Sequence, residues 1–189
     1  MTDCRVYTLN DLGTTTAPES VSVSPNGQGV LILMEDDTAW WWERGAYGEF
    51  VAPAEPVLSE IRGTIPDRPP YFSADSRYLA IPNFYDVTKT DIYAVGSWEQ
   101  IIPSLPTRLS SFIPNVNALA WWEGLEEALG ITCIGQNETA VVIESENITT
   151  VTEPFQVSAN GKYALVSTYD AAQPDTLYNV LVPLPEVEC

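Results

Sequence analysis

The sequence predicts an all-β fold made of repeated antiparallel sheets, and three observations carry this prediction. Short runs rich in Val, Ile, Leu and Tyr alternate with polar turns along the 189 residues, as in strands joined by tight connections. One strand–turn–strand phrase occurs three times, anchored on Ser24, Ser73 and Ser158. Each anchor serine precedes a pair of Asn or Asp followed by Gly or Ser, a combination typical of hairpin turns.

The spacing of the anchors predicts four such units. The first gap is about one repeat and the second about two, if a four-stranded repeat takes roughly 40–45 residues. We therefore expect a degenerate copy over residues 117–124. Four radially repeated units of four antiparallel strands make a β-propeller. The single domain spans residues 1–189, with blades at roughly 19–65, 66–114, 115–153 and 154–189.

The first strand of each blade is predicted to lie innermost, at Val21–Val23, Tyr71–Phe72, Ala118–Ala120 and Phe155–Val157.

The two ends of the chain predict how the ring closes. Residues 4–9 read as a strand without a partner in the first unit, and the last unit lacks a fourth strand. We expect the N-terminal strand to complete the last blade, which would bring Cys4 to Cys189 and allow a disulfide. Cys133 is predicted to stay a buried thiol. The alternatives are three free cysteines in a reducing cytosol, and a chain cropped from a longer propeller.

The location of the protein follows from the same cysteines. A disulfide would favour a secreted or periplasmic location over the cytoplasm. No signal peptide is visible, since Met1-Thr2-Asp3-Cys4 has neither a basic nor an apolar stretch. No apolar run approaches the ~20 residues that span a bilayer.

The phrases at 23–32, 72–81 and 157–166 resemble the S-P-D-G-K-x-L-A segment of WD-repeat-like and TolB-type propeller repeats. The resemblance extends over nearly the whole chain, but through a short and degenerate motif. No unit carries the Trp-Asp dipeptide or the Gly-His pair of a standard WD repeat. The resemblance implies a ring-shaped scaffold of the kind that commonly binds other proteins, and it implies no catalytic residues.

The charge of the chain narrows the class of partner. There are 26 acidic and 8 basic residues and no His, which gives a net charge of −18. Such a charge argues against nucleic acids and anionic membranes, and it favours another protein or a peptide of basic character. The acidic turns are the predicted contact face, and their residues are Asp36, Asp37, Asp86, Asp91, Asp170 and Asp175.

No cofactor is expected. Carboxylates that converge on one face could hold a Ca²⁺ ion, which takes six to eight oxygen ligands. However, the chain has no Asp-x-Asp-x-Asp-Gly loop, so solvated turn residues are the simpler interpretation.

The tryptophans offer a second kind of contact. Trp41 lies in the run Trp40–Trp42, and Trp121 and Trp122 fall where the other units place their turns, so at least one of that pair is predicted to be exposed. These side chains either belong to the packed core or form an aromatic platform for a peptide or a sugar.

The residue types also limit the chemistry. Without His, the Ser-His-Asp and Cys-His arrangements and His-ligated zinc are excluded, and no Gly-rich phosphate loop is present. A pair of carboxylates, as in glycosidases, is the remaining catalytic option. The sequence therefore predicts a non-enzymatic interaction or ligand-binding scaffold. The alternatives are a carboxylate-dependent glycosidase or carbohydrate-binding propeller, and a structural subunit of a larger assembly.

Overall fold

The structure of the protein is a computed structural model that describes residues 14–61, 69–83, 86, 89–107, 109–123, 128–136, 139–144, 151–170 and 173–189. The described residues form strands and no helix, arranged in four successive antiparallel sheets. This confirms the predicted all-β propeller architecture, and each sheet is one blade. Residues 1–13 lie outside the described residues, so the predicted strand at 4–9 and the side chain of Cys4 are not part of this description.

The strand bounds of the first two blades are as follows. Blade 1 contains β1 (Pro18–Val23), β2 (Gly29–Met34), β3 (Ala39–Arg44) and β4 (Phe50–Val51). Blade 2 contains β5 (Tyr71–Phe72), β6 (Tyr78–Pro82), β7 (Thr90–Ala94) and β8 (Gln100–Leu105).

The last two blades differ in strand number. Blade 3 contains β9 (Leu109–Ile113), β10 (Ala118–Glu123), β11 (Ala128–Cys133) and β12 (Thr139–Glu144). Blade 4 contains three described strands, which are β13 (Val151–Val157), β14 (Tyr163–Asp170) and β15 (Gln173–Pro183). In every blade the strands pair in chain order.

A serine hydroxyl holds the turn between the first and second strands in three blades. The Ser24 Oγ accepts the backbone N–H of Gly29 at 2.9 Å and donates to Asn26 Oδ1 at 2.8 Å. Ser73 and Ser158 make the same pair of contacts in blades 2 and 4. We call the four turns between first and second strands the anchor turns, and they comprise residues 24–28, 73–77, 113–117 and 158–162.

One residue of each serine-based anchor turn adopts the left-handed conformation. The φ angle is 68° at Gly27, 62° at Ser76 and 70° at Gly161. Glycine reaches this region without strain, whereas Ser76 is held there with its hydroxyl accepting the backbone N–H of Asn26 from blade 1. Neighbouring anchor turns therefore lie side by side.

The strands of blade 3 differ from the predicted assignment, although their number is the predicted four. Its first strand is β9, so residues 109–114 belong to blade 3 and not to the predicted blade 66–114. Ala118–Ala120 belongs to the second strand of its blade and not to the first, so it was wrongly included among the first strands. The copy was misplaced because Ile113 occupies the position of the anchor serine, which removes the most visible part of the phrase.

One backbone hydrogen bond is repeated in all four blades and shows which of their residues are equivalent. The carbonyl oxygens of Gln28, Arg77, Asn117 and Lys162 each accept an N–H from the residue that ends or follows the third strand of the same blade, at 2.7–2.8 Å. Asn117 is therefore equivalent to Arg77, which places Ile113 opposite Ser73 in the alignment.

Alternating side chains of the second strand join each blade to its two neighbours. In blade 2, Leu79 packs into the cluster shared with blade 1, and Ala80 packs into the cluster shared with blade 3. In blade 3, Leu119 and Ala120 divide in the same way between blades 2 and 4. We call the face of a blade that packs on the following blade in the chain its forward face, and the face that packs on the preceding blade its backward face. Each internal interface thus joins the forward face of one blade to the backward face of the next.

The disulfide differs from the predicted one. Cys189 is bonded to Cys133, with a Cα–Cα distance of 5.4 Å, so the predicted Cys4–Cys189 bridge and the free Cys133 thiol are both wrong. The reason is the path of the tail after β15. Leu184 donates its N–H to Lys162 O at 2.8 Å, and Leu184 and Val187 pack on the blade 3–4 cluster, so the tail turns back onto blade 3.

Removal of an anchor hydroxyl should destabilise the fold. We expect Ser24→Ala to lower the free energy of unfolding by about 1–3 kcal/mol, because the buried N–H of Gly29 loses its side-chain acceptor. Urea denaturation measures this change. Ser97→Ala, at an exposed serine, is the matched control and should change stability by less than about 0.5 kcal/mol. Equal effects of the two substitutions would contradict the anchoring role.

The disulfide should contribute strongly to stability. It joins residues 56 positions apart, for which loop-closure entropy gives an upper figure of about 4 kcal/mol. We expect Cys189→Ser to lower the free energy of unfolding toward that limit. Peptide mapping without reductant should recover Cys133 linked to Cys189. Recovery of Cys4 linked to Cys189 would contradict the observed pairing.

Candidate functional site

A cleft of about 370 Å³ opens between blades 2 and 3 at their anchor turns. One wall is the turn of blade 2, which includes Ser73, Asp75 and Arg77. The other wall is the turn of blade 3, residues 113–117, together with the adjoining residues Phe112 and Ile134. The cleft therefore lies where the one anchor turn without a serine meets a regular one.

The inner wall of the cleft is apolar. Phe112, Ile113 and Ile134 line it and are buried, while Val116 lies further out and is partly exposed. Because Ile113 stands where the other blades have serine, its turn lacks the hydroxyl contacts. The φ angle of 67° is at Asn115, one residue earlier in the turn than in the other blades. The missing serine thus changes both the shape and the chemistry of this wall.

The mouth of the cleft carries a polar bridge between the two blades. The Arg77 guanidinium pairs with the Asp75 carboxylate at 2.5 Å and donates a second hydrogen bond to the side-chain oxygen of Asn117. Its charged carbon also lies 5.6 Å from the centre of the Tyr78 ring. Five N–H donors are available on a guanidinium, so these contacts leave further donors at the mouth.

The electrostatics of the mouth favour the charged forms of both partners. Partial burial alone would raise the pKa of Asp75, but hydrogen bonds from Ser73 and Arg77 and the Arg77 charge outweigh it and lower that pKa. The hydrogen bond to Asp75 raises the pKa of Arg77 in turn. The cleft mouth thus holds one full positive and one full negative charge at neutral pH.

A buried tyrosine marks the interface below the cleft. Tyr71 of β5 hydrogen-bonds to Ser110 of β9, and burial raises the pKa of its hydroxyl. Its ring meets Phe112 edge-on at 5.6 Å between centroids. Blades 2 and 3 are therefore joined firmly beneath the open mouth.

The predicted acidic residues lie at or near the turns between second and third strands. Asp36 and Asp37 occupy the turn of blade 1, and Asp86 that of blade 2. Asp91 lies within β7, Asp170 ends β14 and Asp175 lies within β15, so these three are strand residues and not turn residues. Because strands alternate in direction, this end of each sheet is opposite the anchor turns.

Three of these carboxylates already have structural contacts. Asp36 accepts hydrogen bonds from the hydroxyls of Thr38 at 2.6 Å and Thr16 at 3.1 Å, and the Thr38 contact is the main cause of its lowered pKa. Asp86 pairs with Lys89 at 2.8 Å. Asp91 accepts the N–H of Ser104, whose φ is 53°. No group of three or more metal-binding side chains occurs among the described residues. The acidic contact face stays a prediction.

The predicted aromatic platform is not exposed. Trp121 and Trp122 lie within β10 and are only 4% and 2% exposed, so the expectation that one of them is accessible is wrong. The Trp121 ring covers Gly130, where a Cβ would lie 2.3 Å from the ring, and its N–H donates to Thr132 at 2.9 Å. The exposure of the pair was wrongly predicted because their strand was taken as the first strand of blade 3, whereas it is the second.

Trp41 belongs to the interface of blades 1 and 2. Its ring packs against Phe72 and Trp98, with centroid distances of 5.8 Å and 5.3 Å. It is half-buried, and it lies over Gly29, which has no side chain to obstruct it. Of the two roles that the sequence allowed for Trp41, the packed core and an aromatic platform, these contacts support the packed core.

The fold resembles solved WD40 structures. A crystal structure of the RRP9 WD40 repeats matches 83% of this chain and 46% of its own length, with a TM-score of 0.50 and 11% identity. A structure of U3-55K matches 89% of this chain and 52% of its own length, with a TM-score of 0.53 and 10% identity. The chain has a WD40-like propeller fold. It spans about half the length of the structures it matches.

No protein-family model matches the WD40-like chain, and no curated protein does. At such low identity to the solved structures, the likeness supports the fold alone. The described part of the chain contains no helix with the length and apolarity needed to cross a membrane.

The contribution of the Asp75–Arg77 pair to stability should depend on pH. Because the pKa of Asp75 is lowered in the folded protein, its stabilising contribution is present above the ordinary carboxylate pKa near 3.8 and is lost as the pH falls through the lowered value. We expect Arg77→Gln to raise the pKa of Asp75, since a charge and a hydrogen bond are removed. NMR titration of the Asp75 carboxyl carbon measures this pKa in the parent protein and in the variant. An unchanged pKa in the variant would contradict the pairing.

Proposed function

We propose that this chain is a non-catalytic protein-interaction scaffold that binds a peptide segment of a partner protein in the cleft between blades 2 and 3. The observation that carries the proposal is the combination of a buried apolar wall with a charged mouth in one concave site. Such a site is typical of recognition: the apolar part supplies binding energy, and a few polar groups fix orientation. The WD40-like fold supports the same class of function.

The chemistry of the cleft indicates what kind of peptide it accepts. An apolar side chain would insert beside Ile113 and Val116, where it replaces water on apolar surface. The remaining Arg77 donors would bind peptide carbonyl groups, and Asp75 would accept peptide N–H groups. Because the chain carries a charge of −18, a peptide of basic character is attracted from a distance.

The acidic residues between the second and third strands are proposed to attract the same partner from a distance. Asp36, Asp86 and Asp91 stabilise their own segments, yet a carboxylate bound by hydroxyls or a lysine still contributes negative potential. These residues lie at the opposite end of the sheets from the cleft. We therefore assign them long-range attraction of a basic partner, and we assign the binding geometry to the cleft.

The alternatives receive less support from the described residues. Asp75 is the only carboxylate that lines the described cleft, so the cleft does not supply the pair of acids that a glycosidase requires. A carbohydrate platform would need exposed rings, and the three tryptophans considered for it are partly or fully buried. A structural subunit remains compatible with the fold.

The disulfide supports a proposed location. A bond between Cys133 and Cys189 persists in oxidising compartments, so we place the protein outside the cytoplasm. A peptide-binding scaffold with this bond would act on extracytoplasmic partners.

A displayed library of random peptides tests the proposed site. We expect selection of peptides with one apolar anchor and basic flanks. Val116→Lys should weaken their binding by roughly tenfold or more, because it places a charge at the apolar contact. Val51→Lys, the same change at an exposed valine in blade 1, is the control and should have little effect. Fluorescence anisotropy measures the affinities.

Two results would count against the proposal. If no peptide is enriched, or if enriched peptides bind the Val116→Lys variant as well as the parent, the cleft is not the binding site. The association rate of basic peptides should fall as salt rises, since screening shortens the range of attraction. A rate that is independent of salt would remove the proposed role of the acidic residues.

A further inference from the structure

The disulfide lies next to the cleft in the chain and in space. Cys133 is the last residue of β11, and Ile134, which lines the inner wall of the cleft, follows it directly. Cys133 pairs with Ala118 and so faces blade 4, whereas Ile134 packs in the cluster between blades 2 and 3. One peptide bond therefore joins the disulfide to the wall of the cleft.

A backbone hydrogen bond extends this connection to the polar mouth of the cleft. Ile134 donates its N–H to Asn117 O at 2.7 Å, and the side-chain oxygen of Asn117 accepts the hydrogen bond from Arg77. The end of β11 therefore fixes the position of Asn117, and Asn117 orients the guanidinium at the mouth. Movement of this strand end would change the apolar wall and the polar bridge together.

A row of side chains across blade 3 makes a further connection. Ile113 pairs with Ala118, and Ala118 pairs with Cys133, so the three share the face toward blade 4. Ile113 also lines the cleft. Leu184 of the tail belongs to the same apolar cluster as Ile113, and Val187 packs against that cluster. The tail thus packs on the blade 4 side of the same turn that forms one wall of the cleft.

The disulfide is the main constraint on the end of this tail, residues 184–189. Four of its last five residues are exposed, and these are Pro185, Glu186, Glu188 and Cys189. Val187 is partly buried. An exposed segment gains conformational entropy when it is released, so the end of the tail is expected to detach from blade 3 once the bond is cut.

We propose that the Cys133–Cys189 disulfide is a redox switch for the cleft, and that its reduction weakens peptide binding there. The inference rests on the function proposed above and states how that site is regulated. Reduction frees the tail from β11, so the strand end at Ile134 and the turn at Ile113 lose a support of the cleft wall. A site that is ordered beforehand binds more tightly, because less ordering accompanies binding.

The chemistry of the switch is thiol–disulfide exchange with a dithiol. A thiolate of the dithiol attacks the Sγ of Cys189, the S–S bond breaks, and Cys133 leaves as a thiolate that takes up the proton. The second thiol then attacks the mixed disulfide, which frees the Cys189 thiol and leaves the reductant as a disulfide. Two electrons and two protons thus pass to the protein. Cys133 is only 2% exposed, so the first attack falls on Cys189.

Hydrogen exchange at single amides tests the coupling without any peptide. The amides of Ile134 and Val95 make equivalent bonds in blades 3 and 2, to Asn117 O at 2.7 Å and to Arg77 O at 2.8 Å. Reduction with dithiothreitol should speed exchange at Ile134 by roughly tenfold or more and leave Val95 within about twofold, because the strand end opens locally. Unchanged exchange at Ile134, or an equal rise at both amides, would overturn the proposal.

Peptide affinity tests the consequence for binding. The probe is a fluorescent peptide enriched from the random library, and anisotropy gives its affinity for the oxidised and the dithiothreitol-treated protein. Reduction should weaken binding by roughly tenfold, because only a fraction of the molecules keeps the competent wall. Binding should recover when oxidised glutathione re-forms the bond. Equal affinity in both states, tighter binding after reduction, or a loss that persists after the bond re-forms would count against the switch.

The variant Cys189→Ser separates loss of the bond from other effects of the reductant, since it removes the bond and keeps a side chain of similar size. It should bind the peptide as weakly as the reduced protein and should not respond to dithiothreitol, with circular dichroism verifying its fold. A variant that binds like the oxidised parent would contradict the switch. If no peptide is enriched, the proposed function fails, while exchange at Ile134 still decides whether the disulfide controls the cleft wall.

Discussion

In blades 1, 2 and 4, the hydroxyl of the anchor serine fixes the strand register on which the rest of this structure depends. It accepts an N–H from the start of the second strand, so it fixes where that strand begins relative to the first. A shift of one residue would send every side chain of the strand to the other face. In these three blades the serine therefore fixes which side chains of the second strand face each neighbouring blade, and blade 3 keeps the same alternation although Ile113 has no hydroxyl.

Much of the fold could be predicted from the sequence because this contact has a readable signature. Blades 1, 2 and 4 show the serine with its Asn or Asp, and their first two strands were placed correctly. Blade 3 could not be aligned by the same rule, since Ile113 removes the hydroxyl while the backbone keeps the turn. The equivalence of Asn117 with Arg77 appears only in the backbone contact that each carbonyl makes with its own third strand.

The candidate site was harder to predict for the same reason. The sequence shows Asp75 and Arg77 as turn residues, but it does not show that they line a cleft whose other wall is the turn without serine. The disulfide illustrates a related limit. Local pattern placed Cys189 just beyond the last strand, but the return of the tail onto blade 3 depends on packing of Leu184 and Val187 between blades. Contacts between units leave little trace in the pattern of any one unit.

The strand register that forms the interfaces between blades also determines which faces blades 1 and 4 present on their outer sides. Each blade has one forward and one backward face because its register is fixed, so a row of blades always ends in one face of each kind. A repeat array must cover these terminal faces or leave apolar surface in water. In this chain the outer faces of blades 1 and 4 are mixed: Val23 and Leu181 are largely exposed, whereas Trp42 and Ser167 on the same two faces are buried. The register of each blade therefore decides which side chains face a neighbour, and the burial of Trp42 and Ser167 means that the outer faces of blades 1 and 4 are not left wholly in water.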